Sequence, residues 1–109
     1  MQAVTEMKNS TDQYKVIGIC TSHIQQEDCD RLRVLGEDPS VGMILSRDSG
    51  AFVKLYTDEP DDVRILEEDY PGFSPAFYNV LGQAKQAGYE MVEFDEAATE
   101  YESLPVFNW

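Results

Sequence analysis

Residues 74–94 constrain the fold of this chain more than any other stretch. Ser74 suits the N-cap of a helix, because its hydroxyl can accept a free backbone N–H of the first turn. Pro75 suits the first helical position, where a missing N–H costs nothing. Phe77, Val80, Leu81 and Ala84 recur at helical spacing and form one apolar face. Gly88 can adopt the left-handed conformation that ends a helix, and Tyr89–Phe94 follows as a strand. Start, face and stop agree, so this helix–strand pair is the scaffold around which the other elements are placed.

Before it, residues 1–13 are polar with little periodicity and read as a flexible tail, leaving 14–109 as a single domain. Tyr14–Thr21 is β-branched and apolar on both faces, the pattern of a central strand, and Gly18 within it would let something approach closely. Ser22–Gly36 reads as a helix. Ser22 and Gln25 have capping-box spacing, Glu27 and Asp28 suit the positive end of the dipole, and Arg31 and Arg33 suit the negative end. Cys29, Leu32 and Leu35 would be its buried face, with Gly36 as its stop. Val41–Arg47 and Ala51–Tyr56 read as a hairpin across Asp48-Ser49-Gly50, with Phe52, Lys54 and Tyr56 sharing one face. Residues 57–69 are strongly acidic, and Val63, Ile65 and Leu66 could pack a short helix there.

The order strand, helix, strand, strand, helix, strand predicts an α+β fold. It is the ferredoxin-like βαββαβ two-layer sandwich: a four-stranded antiparallel sheet with two helices on one face. The apolar residues of Ser103–Trp109 imply a docked tail. Phe107 and Trp109 would be buried by covering the other face of the sheet.

Length and charge narrow the function. A chain of 109 residues can build a two-layer core without metal or disulfide support. Its 21 acidic residues against 8 Lys plus Arg give a formal net charge of -13. That field repels nucleic-acid phosphates and anionic membranes and favours a basic protein partner. The plainer reading of the same charge is solubility. Two cysteines make no disulfide framework, Met1–Gln13 lacks an apolar signal core, and no apolar run could span a bilayer. A cytoplasmic protein is the expectation.

Cys20, His23 and Cys29 are the only soft metal ligands close together in sequence, but C-x2-H-x5-C supplies three ligands and the chain has one histidine. Small buried thiols are the simpler reading. A thiol–imidazole pair of Cys20 and His23 at a strand end is the enzymatic alternative. Pro60 interrupts the spacing a calcium loop needs, and no phosphate-binding glycine loop, nucleophile elbow or zinc helix is present. No catalytic residue, metal or cofactor is therefore assigned. The candidates for partner binding are Asp58, Glu59, Asp61, Asp62, Glu67, Glu68 and Asp69, together with Asp95, Glu96, Glu100 and Glu102.

Thr21-Ser22-His23-Ile24, the Gly50–Leu55 stretch and the ending Leu104-Pro105-Val106-Phe107-Asn108-Trp109 resemble an uncharacterised family of small acidic bacterial proteins. Its members occur on plasmids and integrated mobile elements and share a Leu-Pro-x-aromatic-x-Trp ending. The resemblance covers residues 14–109 and implies a bacterial cytoplasmic setting and an accessory role. It carries no catalytic residue across. The expected function is a non-enzymatic protein-binding module acting through acidic segments. Its sharper forms are a nucleic-acid mimic of the anti-restriction or anti-CRISPR type and an immunity protein. A small thiol enzyme and a homodimer pairing sheet faces or edges are the alternatives.

Overall fold

The computed structural model describes residues 2–38, 43–47, 50–55 and 70–109. Its elements run α1 (Gln2–Lys8), β1 (Val16–Ile19), one turn of 3₁₀ helix (Thr21–His23), α2 (Gln26–Gly36), β2 (Ile44–Arg47), β3 (Gly50–Lys54), α3 (Pro75–Gln86) and β4 (Met91–Asp95). The expected strand start at Val41, the turn residues Asp48 and Ser49, Tyr56 and the whole acidic stretch 57–69 lie outside the described residues. No described helix is long and apolar enough to cross a membrane.

The anchor stretch forms as its residues dictate. Ser74 caps α3, its hydroxyl accepting the Phe77 N–H at 3.4 Å, and Pro75 opens the helix. Gly88 has φ +98°, a conformation that needs no Cβ, and turns the chain into β4. Phe77, Val80, Leu81 and Ala84 are all buried. Phe77 stacks on Phe73 with centroids 3.9 Å apart and lies 5.8 Å from Phe94 of β4. Ile19, Ile44, Ala51, Val53, Val92 and Phe94 supply the sheet side of this core. At one such side chain per few positions, burial stabilises by about 1.5–3 kcal/mol for each large apolar group.

The sheet departs from the ferredoxin-like expectation. Its order among the described residues is β1-β4-β3-β2. β4 runs parallel to β1 and antiparallel to β3, so the sheet is mixed rather than purely antiparallel. The reason is a matter of crossings. Lys54, the last residue of β3, pairs with Met91, the first residue of β4, so β3 ends where β4 begins. α3 also ends there, since Tyr89 N–H donates to Ala84 C=O. α3 therefore starts at the opposite end and returns to the end where β3 finished, so β4 sets out from there, antiparallel to β3 and parallel to β1.

β4 rather than β1 is consequently central. β1, expected in the middle, lies at the edge, and its two-sided apolarity has a different cause. Ile17 and Ile19 share the face that holds Val92 and Phe94, while a side chain at Gly18 would touch Ala98 at 3.6 Å. The outer edge is occupied: Cys20 N–H donates to Thr99 C=O and Tyr101 O–H donates to Gly18 C=O. α1 was not foreseen in the polar N-terminal segment; none of its residues is buried.

α2 starts four residues later than its first cap candidate. Ile24 is extended and buried, which separates the 3₁₀ turn from the helix, and Gln25 rather than Ser22 is the N-cap. At its other end Gly36 stays in the helix and is needed for proximity, because a Cβ there would lie 2.5 Å from the Ser46 backbone nitrogen of β2.

The two helices are joined at their starts by one carboxylate. Asp28, the third residue of α2, is only 1% exposed. Its Oδ2 accepts the Gln25 N–H at 2.9 Å and the Ser74 hydroxyl at 2.5 Å, and its Oδ1 accepts the Ser74 N–H at 2.8 Å. One negative charge thus sits at the positive ends of both helices. Arg31 adds a second link, donating to Pro71 C=O at 2.7 Å with its guanidinium 5.5 Å from the Phe73 ring centre. Asp28→Ala should strand three donors and cost at least about 3 kcal/mol, since a hydrogen bond to a charged group contributes about 1.5–3 kcal/mol. Asp28→Asn should cost about 2 kcal/mol, because its amide turns a donor toward donors. Urea unfolding, with a lowered midpoint at constant slope, checks both.

Candidate functional site

The C-terminal segment after β4 covers the open face only over β1, where Ala98 faces Gly18, and leaves the β2–β3 side bare. Leu45 remains 58% exposed there, and Arg47 pairs with Glu93 and Asp95 while its guanidinium lies over Phe52. The segment instead straps the 3₁₀ turn at the carboxyl end of β1. Phe107 N–H donates to Ser22 C=O at 2.8 Å, the Ser22 hydroxyl donates to Glu100 at 2.7 Å, and the Trp109 indole N–H donates to Ile24 C=O at 3.0 Å.

His23 is the centre of this strap and is fully buried. Its Nε2 accepts the Tyr101 N–H at 2.8 Å, and its Nδ1 lies 2.7 Å from the Pro105 carbonyl oxygen. A carbonyl can only accept and a backbone N–H can only donate, so the ring is the neutral tautomer with its proton on Nδ1. Both nitrogens are committed to backbone. The Cys20 thiol donates to Glu96 C=O at 3.5 Å. The thiol and the imidazole are therefore each bound elsewhere, and the Cys20–His23 pair considered from the sequence is not assembled. Burial, followed by the charges of Asp28 and Asp30, pushes the Cys29 thiol up to about 11. Among the described residues no group of three or more His, Cys, Asp or Glu is placed to hold a metal ion.

The acidic candidates divide. Asp58, Glu59, Asp61, Asp62, Glu67, Glu68 and Asp69 lie outside the described residues. Asp95 is bound to Arg47 on the open sheet face, and Glu100 accepts the Ser22 hydroxyl. Glu96 and Glu102 are exposed. Glu96 borders a hollow of about 250 Å³ between α2 and the carboxyl end of β4, where Thr21, Gln26, Asp30, Arg33 and Trp109 also line the wall. A more open hollow adjoins it, lined by Gln25, Gln26, Glu27, Asp30 and Trp109. Trp109, expected to be buried, is 53% exposed and forms a wall common to both. Its hydrogen bond to Ile24 fixes the ring while leaving a face open.

A family model described as a family of unknown function, DUF5983, C-terminal domain, matches residues 16–109. The chain belongs to the DUF5983 family. No curated protein and no solved structure matches it. The match begins at the first residue of β1 and includes every sheet strand, the strap and both hollows, so the DUF5983 domain contains the whole candidate surface.

In the sequence Glu27 reads only as an acid suited to the helix dipole, and Asp30 is not singled out. Their signal was present as the polar stripe of Gln26, Glu27, Asp30 and Arg33 at helical spacing, but nothing in the chain placed Trp109 beside it.

Long-range ¹H–¹⁵N spectra should show a protonated Nδ1 and an accepting Nε2 on His23. His23→Leu should speed amide exchange at Tyr101 and Phe107 at least about tenfold, since both amides are held by the strap. In a Cys20→Ala background, iodoacetamide should alkylate Cys29 at pH 8 about 100-fold more slowly than a free cysteine, because only the thiolate reacts.

Proposed function

We propose that this DUF5983 domain is a non-enzymatic module that binds a basic protein partner through acidic surface at the start of α2 and along the C-terminal strap. The observation that carries this reading is an indole held by a hydrogen bond, half exposed, forming one wall of a hollow with Glu27 and Asp30 and no cation. Tryptophan anchors ringed by polar side chains are a recurrent form of protein-binding surface. The net charge of -13 would speed encounter with a basic surface and discourage contact with nucleic acid or anionic lipid. The acids of 58–69 would extend the same field.

The sequence resemblance supports a bacterial cytoplasmic setting and an accessory role on a mobile element. Inhibition by nucleic-acid mimicry and immunity to a basic toxin are narrower forms of this reading, separated by what the partner itself binds. A continuous row of free carboxylates would favour mimicry; Asp95 and Glu100, being bound to Arg47 and Ser22, do not contribute to one. A thiol enzyme has less support, since Cys20 and His23 each have other partners.

Affinity capture from the native host should recover a basic protein at about 50 mM salt and lose most of it at about 500 mM, where charges more than a few ångströms apart are screened. Recovery of no basic protein at low salt overturns the reading.

A further inference from the structure

We propose that the open hollow at the start of α2 receives an arginine side chain of the partner, its guanidinium stacked on Trp109 and paired with Glu27 and Asp30. This rests on the reading of the domain as a binder of basic proteins, and it assigns the contact to one place. The hollow is lined by two carboxylates, two side-chain amides and one indole, with no cation and no aliphatic side chain. Glu27 and Asp30 are three residues apart on α2 and point to the same side of it. Neither is engaged in an ion pair or hydrogen bond within the described residues.

Each lining group matches a feature of guanidinium. Its five N–H donors need several acceptors, which the two carboxylates and the amide oxygen of Gln26 supply, while the Gln25 side chain caps α2. Its flat, weakly hydrated face suits stacking on an indole, whereas a lysine ammonium is compact and strongly hydrated. The Trp109 ring is held in place by Ile24, so little freedom is lost when the partner binds. The positive end of the α2 dipole would oppose a cation, but Asp28 already answers it from the buried side. An anion would face two carboxylates. A metal ion would find only these two ligands, and no larger ligand group exists among the described residues. Arg33, which would repel a guanidinium, lines the neighbouring hollow and not this one.

Trp109 is the sole tryptophan, so its emission reports on this site directly. A tetra-arginine amide titrated at about 20 mM salt should quench that emission saturably. Tetra-citrulline, equal in shape and uncharged at the side chain, should not, and tetra-lysine should bind several-fold more weakly. Glu27→Gln combined with Asp30→Asn should weaken tetra-arginine at least about tenfold, which corresponds to about 1.4 kcal/mol. Glu6→Gln combined with Asp12→Asn removes the same charge from the N-terminal segment and should change binding less than about twofold. Trp109→Leu, followed by calorimetry, should weaken it to a similar degree as the α2 pair. Circular dichroism melting should fall by only a few degrees in the α2 pair, since both side chains are exposed and only the helix-dipole contribution of Glu27, about 0.3–1 kcal/mol, is lost. Equal losses from the two charge-removing pairs, or equal binding of citrulline, overturn the arginine site while leaving the general acidic reading intact. No binding of either basic peptide at low salt overturns both.

Discussion

The Asp28 carboxylate is the interaction on which the rest of this structure depends. It is a buried charge, and such a charge is tolerated only when donors surround it. Here the donors are the backbone and hydroxyl of Ser74 and the backbone of Gln25, the N-caps of the two packed helices. The consequence is geometric. With both helices starting at the same end of the sheet, α3 must run back toward the end where β3 finished, and β4 must then rise parallel to β1. The mixed sheet and the common origin of the helices are one constraint seen from two sides.

That parallel pair frees the carboxyl ends of β1 and β4 to lie side by side. The chain leaving β4 turns there, passes Gly18 at the edge of the open face and docks on the 3₁₀ turn instead of spreading across the sheet. His23 makes the attachment specific, because its two nitrogens distinguish a donor from an acceptor on the passing backbone. A strap held at Tyr101, Pro105 and Phe107 leaves Trp109 over the start of α2, where its indole N–H is satisfied and its ring face is not covered. The acidic hollow at the start of α2 follows from that placement. Neither Glu27 nor Asp30 is unusual on an exposed helix; the fixed indole beside them is what turns a solvated face into a surface with a shape.

The elements readable in advance were those whose cause is local. Ser74, Pro75 and Gly88 act within one helix, and the apolar spacing of Phe77, Val80, Leu81 and Ala84 needs no partner to be recognised. The alternation in β3, with Ala51 and Val53 inward and Phe52 outward, is equally local. Ser22 misled because its hydroxyl bonds to Glu100, 78 residues away, rather than to its own helix. Asp28 was legible as an acid in the first turn but not as a bridge, since its second set of donors comes from a cap 46 residues later. Gly36 was read as a conformational stop and is instead a point of contact with Ser46.

The sequence alone determined the class of fold, one capped helix to within a residue, the apolar stripe that faces the sheet, and a net charge of -13. These depend on propensity, periodicity and composition, which act over a few residues or over the whole chain. Tertiary structure alone decided the direction of β4, the edge position of β1, the burial of Asp28 and His23, and the exposure of Trp109. Each of those is set by hydrogen bonds between segments far apart in the chain. A buried donor must find an acceptor wherever the fold brings one, and no local pattern records where that will be.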